Sequence, residues 1–144
     1  MASPLSPLWD ARSVAVIGAT ERAGALGRLP VSFLARYGYS GRVLPVNPTA
    51  DTVLGLPAYP SVAAAREATG EPVDLALVMV SAARVPDAID DCAAAEVPVA
   101  VVMSSGFAEA SIAEVVAGAS SPAFEESAAP RAKGDAPMGS ASAR

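Results

Sequence analysis

Val14-Ala15-Val16-Ile17-Gly18-Ala19-Thr20-Glu21-Arg22-Ala23-Gly24-Ala25-Leu26-Gly27 is the stretch on which the reading of this chain turns. It opens as a short apolar run that stops at a glycine, the pattern of a strand buried on both faces of a parallel sheet. A glycine-punctuated turn follows and then a helical stretch, an order that aims backbone N–H groups at a phosphate. The spacing is glycine, five residues, glycine, two residues, glycine, which differs from the dinucleotide fingerprint. Two uses of Gly18 and Gly24 are open on these residues alone: a phosphate-binding turn, or a tight turn with close helix–sheet packing and no ligand. A nicotinamide cofactor would call for an acidic residue at the end of the second strand, to hold the ribose hydroxyl. Asn47-Pro48 stands there, which counts against NAD(P).

Working outward, the strand at 13–18 is followed by apolar runs at 42–46, 74–80 and 99–103. Helical stretches are predicted between them at 25–37, 62–69 and 85–96, with another at 112–117. The helix at 85–96 starts well, with Pro86 in its first turn and Asp87 complementing the helix dipole. Pro30 lies inside the first helical stretch, so that helix either starts late, near Arg28 or Leu29, or is kinked. Continuous apolar strands alternating with helices predict an α/β domain with a parallel sheet, whose ligand-binding loops gather at the carboxyl ends of the strands.

Composition narrows the function. Of 144 residues, 33 are alanine and 17 valine, and only 5% are aromatic, a balance that suits parallel strands better than a β-sandwich. The net charge is −5 and no basic stretch exists, so a nucleic-acid surface is not expected. The chain has no histidine, which removes serine–histidine triads, phosphohistidine chemistry and imidazole acid–base work. Its lone cysteine, Cys92, excludes an internal disulfide and reads as a small packing residue. Asp90 and Asp91 are adjacent, so on a helix they diverge by about 100° and form no paired-carboxylate site. Trp9 is expected to pack on the sheet edge. No apolar run approaches the roughly 20 residues of a membrane helix, and no basic leader precedes the first strand. A soluble, cytoplasmic protein is expected, without membrane contact.

Five segments in order, IGATERAGALG, YGYSGRVLPVNP, VLGLPAYPSV, DLALVMV and VVMSSGFAE, resemble the N-terminal CoA-binding domain of NDP-forming acyl-CoA synthetases. These ligases are relatives of the succinyl-CoA ligase alpha subunit, and the same domain opens some bacterial protein lysine acetyltransferases. The resemblance spans residues 8–109. It implies a Rossmann-like three-layer domain over 8–117 that holds coenzyme A or an acyl-CoA across the strand ends. It implies that Gly18, Ala19, Thr20, Glu21, Arg22 and Gly24 run along the CoA phosphates, with Thr20, Glu21 and Arg22 as contacts. It places Asn47 and Pro48 against the nucleotide, and Ser104, Ser105 and Gly106 near the pantetheine arm. Val80 is followed by Ser81, where the family tends to have Val-Pro; Ser81 retains a hydroxyl that can donate. On their own evidence Arg22 reads either as a phosphate contact or as a solvated charge, Asn47-Pro48 as a turn pair and Ser104-Ser105 as loop polars.

Residues 118–144 change character: 19 of these 27 are Gly, Ala, Ser or Pro, which predicts a disordered tail. The histidine-bearing and nucleotide-grasp domains of the synthetases, and the transfer domain of the acetyltransferases, do not fit after Glu109. The expectation is a CoA-binding module, truncated and not catalytic by itself. Alternatives are one subunit of a split acid–CoA ligase or of an acetyltransferase, with partners on another chain, or a non-catalytic remnant.

Overall fold

The computed structural model describes residues 3–104. Four parallel strands, β1 (Ser13–Ile17), β2 (Arg42–Val46), β5 (Leu75–Val78) and β6 (Val99–Val102), form one sheet in the order β2-β1-β5-β6. The register pairs Ile17 with Val46 and with Val78, and Val78 with Val102, so the carboxyl ends of all four strands align. A second, two-stranded antiparallel hairpin joins β3 (Thr52–Val53) to β4 (Leu56–Pro57). The helices are α1 (Pro7–Asp10), α2 (Leu29–Arg36), α3 (Val62–Thr69) and α4 (Val85–Ala94).

All five residues of β1 are buried, because neighbours flank it on both sides and helices cover both faces. Side chains alternate across the sheet. Ala15 and Ile17 enter one core with Val62 and Ala65 of α3 and Val85, Ala88 and Cys92 of α4. Val14 and Val16 enter the other, with Val31 of α2 and Val53 of the hairpin. The arrangement is the α/β, Rossmann-like three-layer sandwich that the sequence predicts. The chain leaves β1 to one side through α2 and returns to β5 through α3 on the opposite face. The loops after β1 and β5 therefore part at the carboxyl edge and leave a crevice between them.

One open alternative is decided, one local expectation is corrected and one residue gains a role. The first helix starts late: a single 3-10 turn covers Leu26–Arg28 and the α-helix begins at Leu29, which puts Pro30 in the first turn, where no N–H is needed. Trp9 does not anchor the sheet edge; it lies on the short α1 with 69% of its surface exposed. Asp91, which forms no paired-carboxylate site with Asp90, caps a neighbouring helix. Its Oδ2 accepts from the Val62 N–H at 2.7 Å and its Oδ1 from Ala63 at 3.3 Å, while Ser61 Oγ takes the Ala64 N–H. Between them they satisfy three of the amides that the start of α3 leaves open. The helix at 112–117 and the tail at 118–144 lie outside the described residues.

Candidate functional site

The turn after β1 depends on two glycines. Gly18 has φ +84°, and a Cβ there would stand 2.8 Å from the Met79 carbonyl oxygen and 3.0 Å from Val80 Cγ1. Gly27 lies against the Gly18 carbonyl so closely that any side chain would overlap it. The turn and the start of the next helix are thus locked by backbone-to-backbone packing, the role glycine serves in phosphate-binding turns.

The amides of this turn divide into two sets. Gly18 and Ala19 both donate to the Val46 carbonyl, at 3.0 and 3.2 Å, and fasten the turn to β2. Arg22 N–H donates to Thr20 Oγ1 at 3.2 Å. The N–H groups of Thr20, Glu21, Ala23 and Gly24 donate to no described residue. The loop is braced from outside by the Arg28 guanidinium, which donates to the Glu21 carbonyl.

Asn47 holds the turn from the other side. Its Nδ2 donates to the Ala19 carbonyl at 2.8 Å, and its Oδ1 accepts from Thr49 N, Thr49 Oγ1 and Ala50 N at 2.9–3.1 Å. Both ends of the carboxamide are engaged with protein, so Asn47 shapes the rim. Across the crevice, the loop after β5 is tied down by Ser104 Oγ, which donates to the Val80 carbonyl at 2.6 Å. Ser81 opens a 3-10 turn, Ala82–Arg84, that delivers Arg84 to the start of α4. Ser105 and Gly106 lie outside the described residues.

These segments enclose a cleft of about 470 Å³, lined by Gly18, Thr20, Arg22, Asn47, Pro48, Thr49, Met79, Val80, Ser81 and Arg84. Gly18, Pro48, Val80 and Arg84 also line an adjoining cleft of about 360 Å³, whose wall joins the apolar Ile17, Val46, Pro60 and Ala88 to two carboxylates, Asp87 and Asp91. The structure thus brings Gly18, Thr20, Arg22, Asn47, Pro48, Val80 and Ser81 to one cleft, whereas Ala19, Glu21, Gly24 and Ser104 do not line it. It also adds Arg84, which the sequence reading passed over. Neither Arg22 nor Arg84 has a side-chain hydrogen bond or ion pair with another described residue, whereas Arg42 and Arg66 are paired with Glu71 and Glu96. No carboxylate lines the larger cleft. Two guanidinium groups without a described partner, the free amides of the turn and the absence of a carboxylate from the larger cleft are chemistry that can take up an anion, while Asp87 and Asp91 stand beside Arg84 in the adjoining one. Among the described residues no cluster of potential metal ligands occurs.

Residues 12–133 match the family described as CoA binding domain. The chain belongs to that family. This CoA-binding domain is 40% identical over 105 residues to an ADP-forming acetate–CoA ligase II of Archaeoglobus fulgidus, covering 73% of this chain and 15% of the ligase. It is 36% identical over 109 residues to the alpha subunit of an ADP-forming acetate–CoA ligase I of Pyrococcus furiosus, covering 73% of this chain and 23% of that subunit. Among solved structures, a dinucleotide-forming acetyl-coenzyme A synthetase 1 of Ca. Korarchaeum cryptofilum, in complex with phosphate and ADP, superposes with a TM-score of 0.68 at 37% identity. That match covers 79% of this chain and 24% of the synthetase. The CoA-binding domain therefore spans less than a quarter of these relatives, and resembles the N-terminal domain of ADP-forming acyl-CoA synthetases. No described helix is long and apolar enough to cross a membrane.

Proposed function

We propose that this chain binds coenzyme A or an acyl-CoA in the crevice at the carboxyl edge of its sheet, and does not complete a ligase reaction by itself. The observation that carries the reading is the charge pattern of the cleft: Arg22 and Arg84 unpaired, with no carboxylate in the lining. In this reading the phosphates meet the Thr20–Gly24 amides, the Thr20 hydroxyl and the two arginines. Charge-assisted hydrogen bonds of this kind are the strong ones, and backbone donors fixed by Gly18 and Gly27 need no reordering when the ligand arrives. The uncharged arm of the ligand lies toward Ile17, Val46, Val80 and Ala88. Ser104 holds the loop over which that arm passes. Asn47 and Pro48 form the nucleotide side of the rim.

NAD(P) is the less favoured ligand, because Asn47 replaces the ribose-binding acid and its carboxamide is already engaged. These 144 residues include no histidine, so any phosphohistidine step would draw on residues outside them. The Pyrococcus relative, named as an alpha subunit, favours a split acid–CoA ligase as the second reading. Calorimetric titration with CoA, acetyl-CoA, NAD and NADP tests the first reading: saturable heat with the CoA compounds and none with the dinucleotides is expected. NAD binding without CoA binding would overturn it. For the second reading, co-purification of a partner that confers CoA- and nucleotide-dependent acid activation is the expected result.

A further inference from the structure

Glu21 stands in the middle of the anion-binding turn, a place where a carboxylate should repel phosphate. Its side chain, however, does not line the cleft. Oε1 accepts the Leu54 N–H at 2.7 Å, across 33 residues of sequence. Leu54 and Gly55 form the two-residue turn of the β3–β4 hairpin, with φ +49° and +80°. Such a turn needs both central residues in the left-handed region, which leucine adopts reluctantly. The carboxylate therefore meets an amide that points out of a strained turn. The same hairpin is anchored to the core by Val53, which is fully buried. This hydrogen bond ties the 20–24 loop to the core-anchored hairpin, beside the Arg28 and Asn47 side chains that hold the Glu21 and Ala19 carbonyls.

We propose that Glu21 is a positioning residue: its carboxylate latches the Thr20–Gly24 loop to the β3–β4 hairpin, and so holds the loop amides open toward the phosphates while keeping its own charge turned away from them. The inference rests on the reading of this cleft as the CoA site. Two substitutions separate latch from charge. Glu21→Ala removes the bond to Leu54, so the loop must be ordered at the moment of binding, and CoA affinity falls by roughly ten-fold. Glu21→Gln keeps an acceptor oxygen for the Leu54 amide and loses the negative charge, so CoA binds at least as tightly as to the wild type, with a steeper dependence on salt.

The experiment is CoA titration of the wild type, E21A and E21Q across a salt series, with amide hydrogen exchange of Leu54 and of the 20–24 loop measured without ligand. Expected are weakened binding and faster Leu54 exchange in E21A, with both restored in E21Q. Equal CoA affinity in E21A and wild type would overturn the proposal. So would loss in E21Q as large as in E21A, which would make the carboxylate a direct, charge-dependent contact. If the wild type binds no CoA, the site reading fails, while the exchange rates still decide whether Glu21 latches the loop.

Discussion

The two ends of the sheet carry clefts of the same size, about 470 Å³ each, yet they are chemically opposite. At the amino ends of the strands, polar groups face one another. Asp74 Oδ2 accepts from the amides of Arg12 and Ser13 at 2.8 and 3.2 Å, and Ser13 Oγ accepts from the Asp74 amide and donates to the Pro72 carbonyl. Arg42 pairs with Glu71 at 2.6 Å, and the Tyr39 hydroxyl donates to the Ala11 carbonyl. Burial, and after it the Asp74 carboxylate, raises the Tyr39 phenol above its ordinary 10.0 against the smaller pull of Arg42. At the carboxyl ends, amides and guanidinium groups are left unspent. Volume does not distinguish the two clefts; the charge balance of their linings does, three carboxylates with two arginines at the amino ends against two arginines and no carboxylate in the larger cleft at the carboxyl ends.

That contrast can be broken from either end. Gly18→Val should do most damage, since it forces a β-branched residue to φ +84° and into the Met79 carbonyl. Left-handed strain and overpacking together should cost about 3 kcal/mol of stability and abolish CoA binding. Urea unfolding and calorimetry read both; unchanged CoA affinity would move the site away from this turn. Asp74→Ala should cost about 2 kcal/mol of stability by stranding two amides, and leave the CoA affinity of the folded protein as it was. A matching loss of affinity would show that the two ends are coupled.

Arg22→Ala should leave the unfolding midpoint in place and weaken CoA binding by about 1–2 kcal/mol, with a shallower salt dependence. Arg84→Ala should act in the same direction, by about 1 kcal/mol. Arg36, exposed beside the Tyr37 ring, is the proper control. Arg66 would not serve, because it holds the Ala95 carbonyl at 2.8 Å and its removal would disturb the junction of α3 and α4. The smallest effect is expected at Cys92, 3% exposed, whose thiol burial and then Asp91 push up from 9.0 to about 11. The neutral thiol is favoured in the fold. Its contribution is complete below pH 9.0 and is lost as pH rises toward about 11, so Cys92→Ala should flatten that alkaline decline in stability. An unchanged slope would assign the decline to Tyr39 or another group.

What could be read from the residues follows from how each signal arises. The four strands were legible because valine-rich runs between glycines and helical stretches have few other uses, and the turn at Gly18 because glycine spacing records close backbone approach. The β3–β4 hairpin was not, since its turn is Leu54-Gly55 and leucine carries no signal for a left-handed conformation. Missing the hairpin hid the destination of Glu21, which sequence position alone puts beside the phosphates. Arg84 was missed for a related reason: a 3-10 turn, not a periodic pattern, carries it back to the crevice. Trp9 shows the converse, a large apolar residue whose chemistry predicts burial and whose short helix leaves it outside.

The most direct test of the contrast between the two ends is an amide correlation spectrum of the labelled protein titrated with CoA. The expected shifts centre on Thr20, Glu21, Ala23 and Gly24, with weaker ones at Ser81 and Arg84, and Arg12, Ser13 and Asp74 remain still. Shifts that centre instead on Arg12, Arg42 and Asp74 would place the ligand in the other cleft and contradict the account.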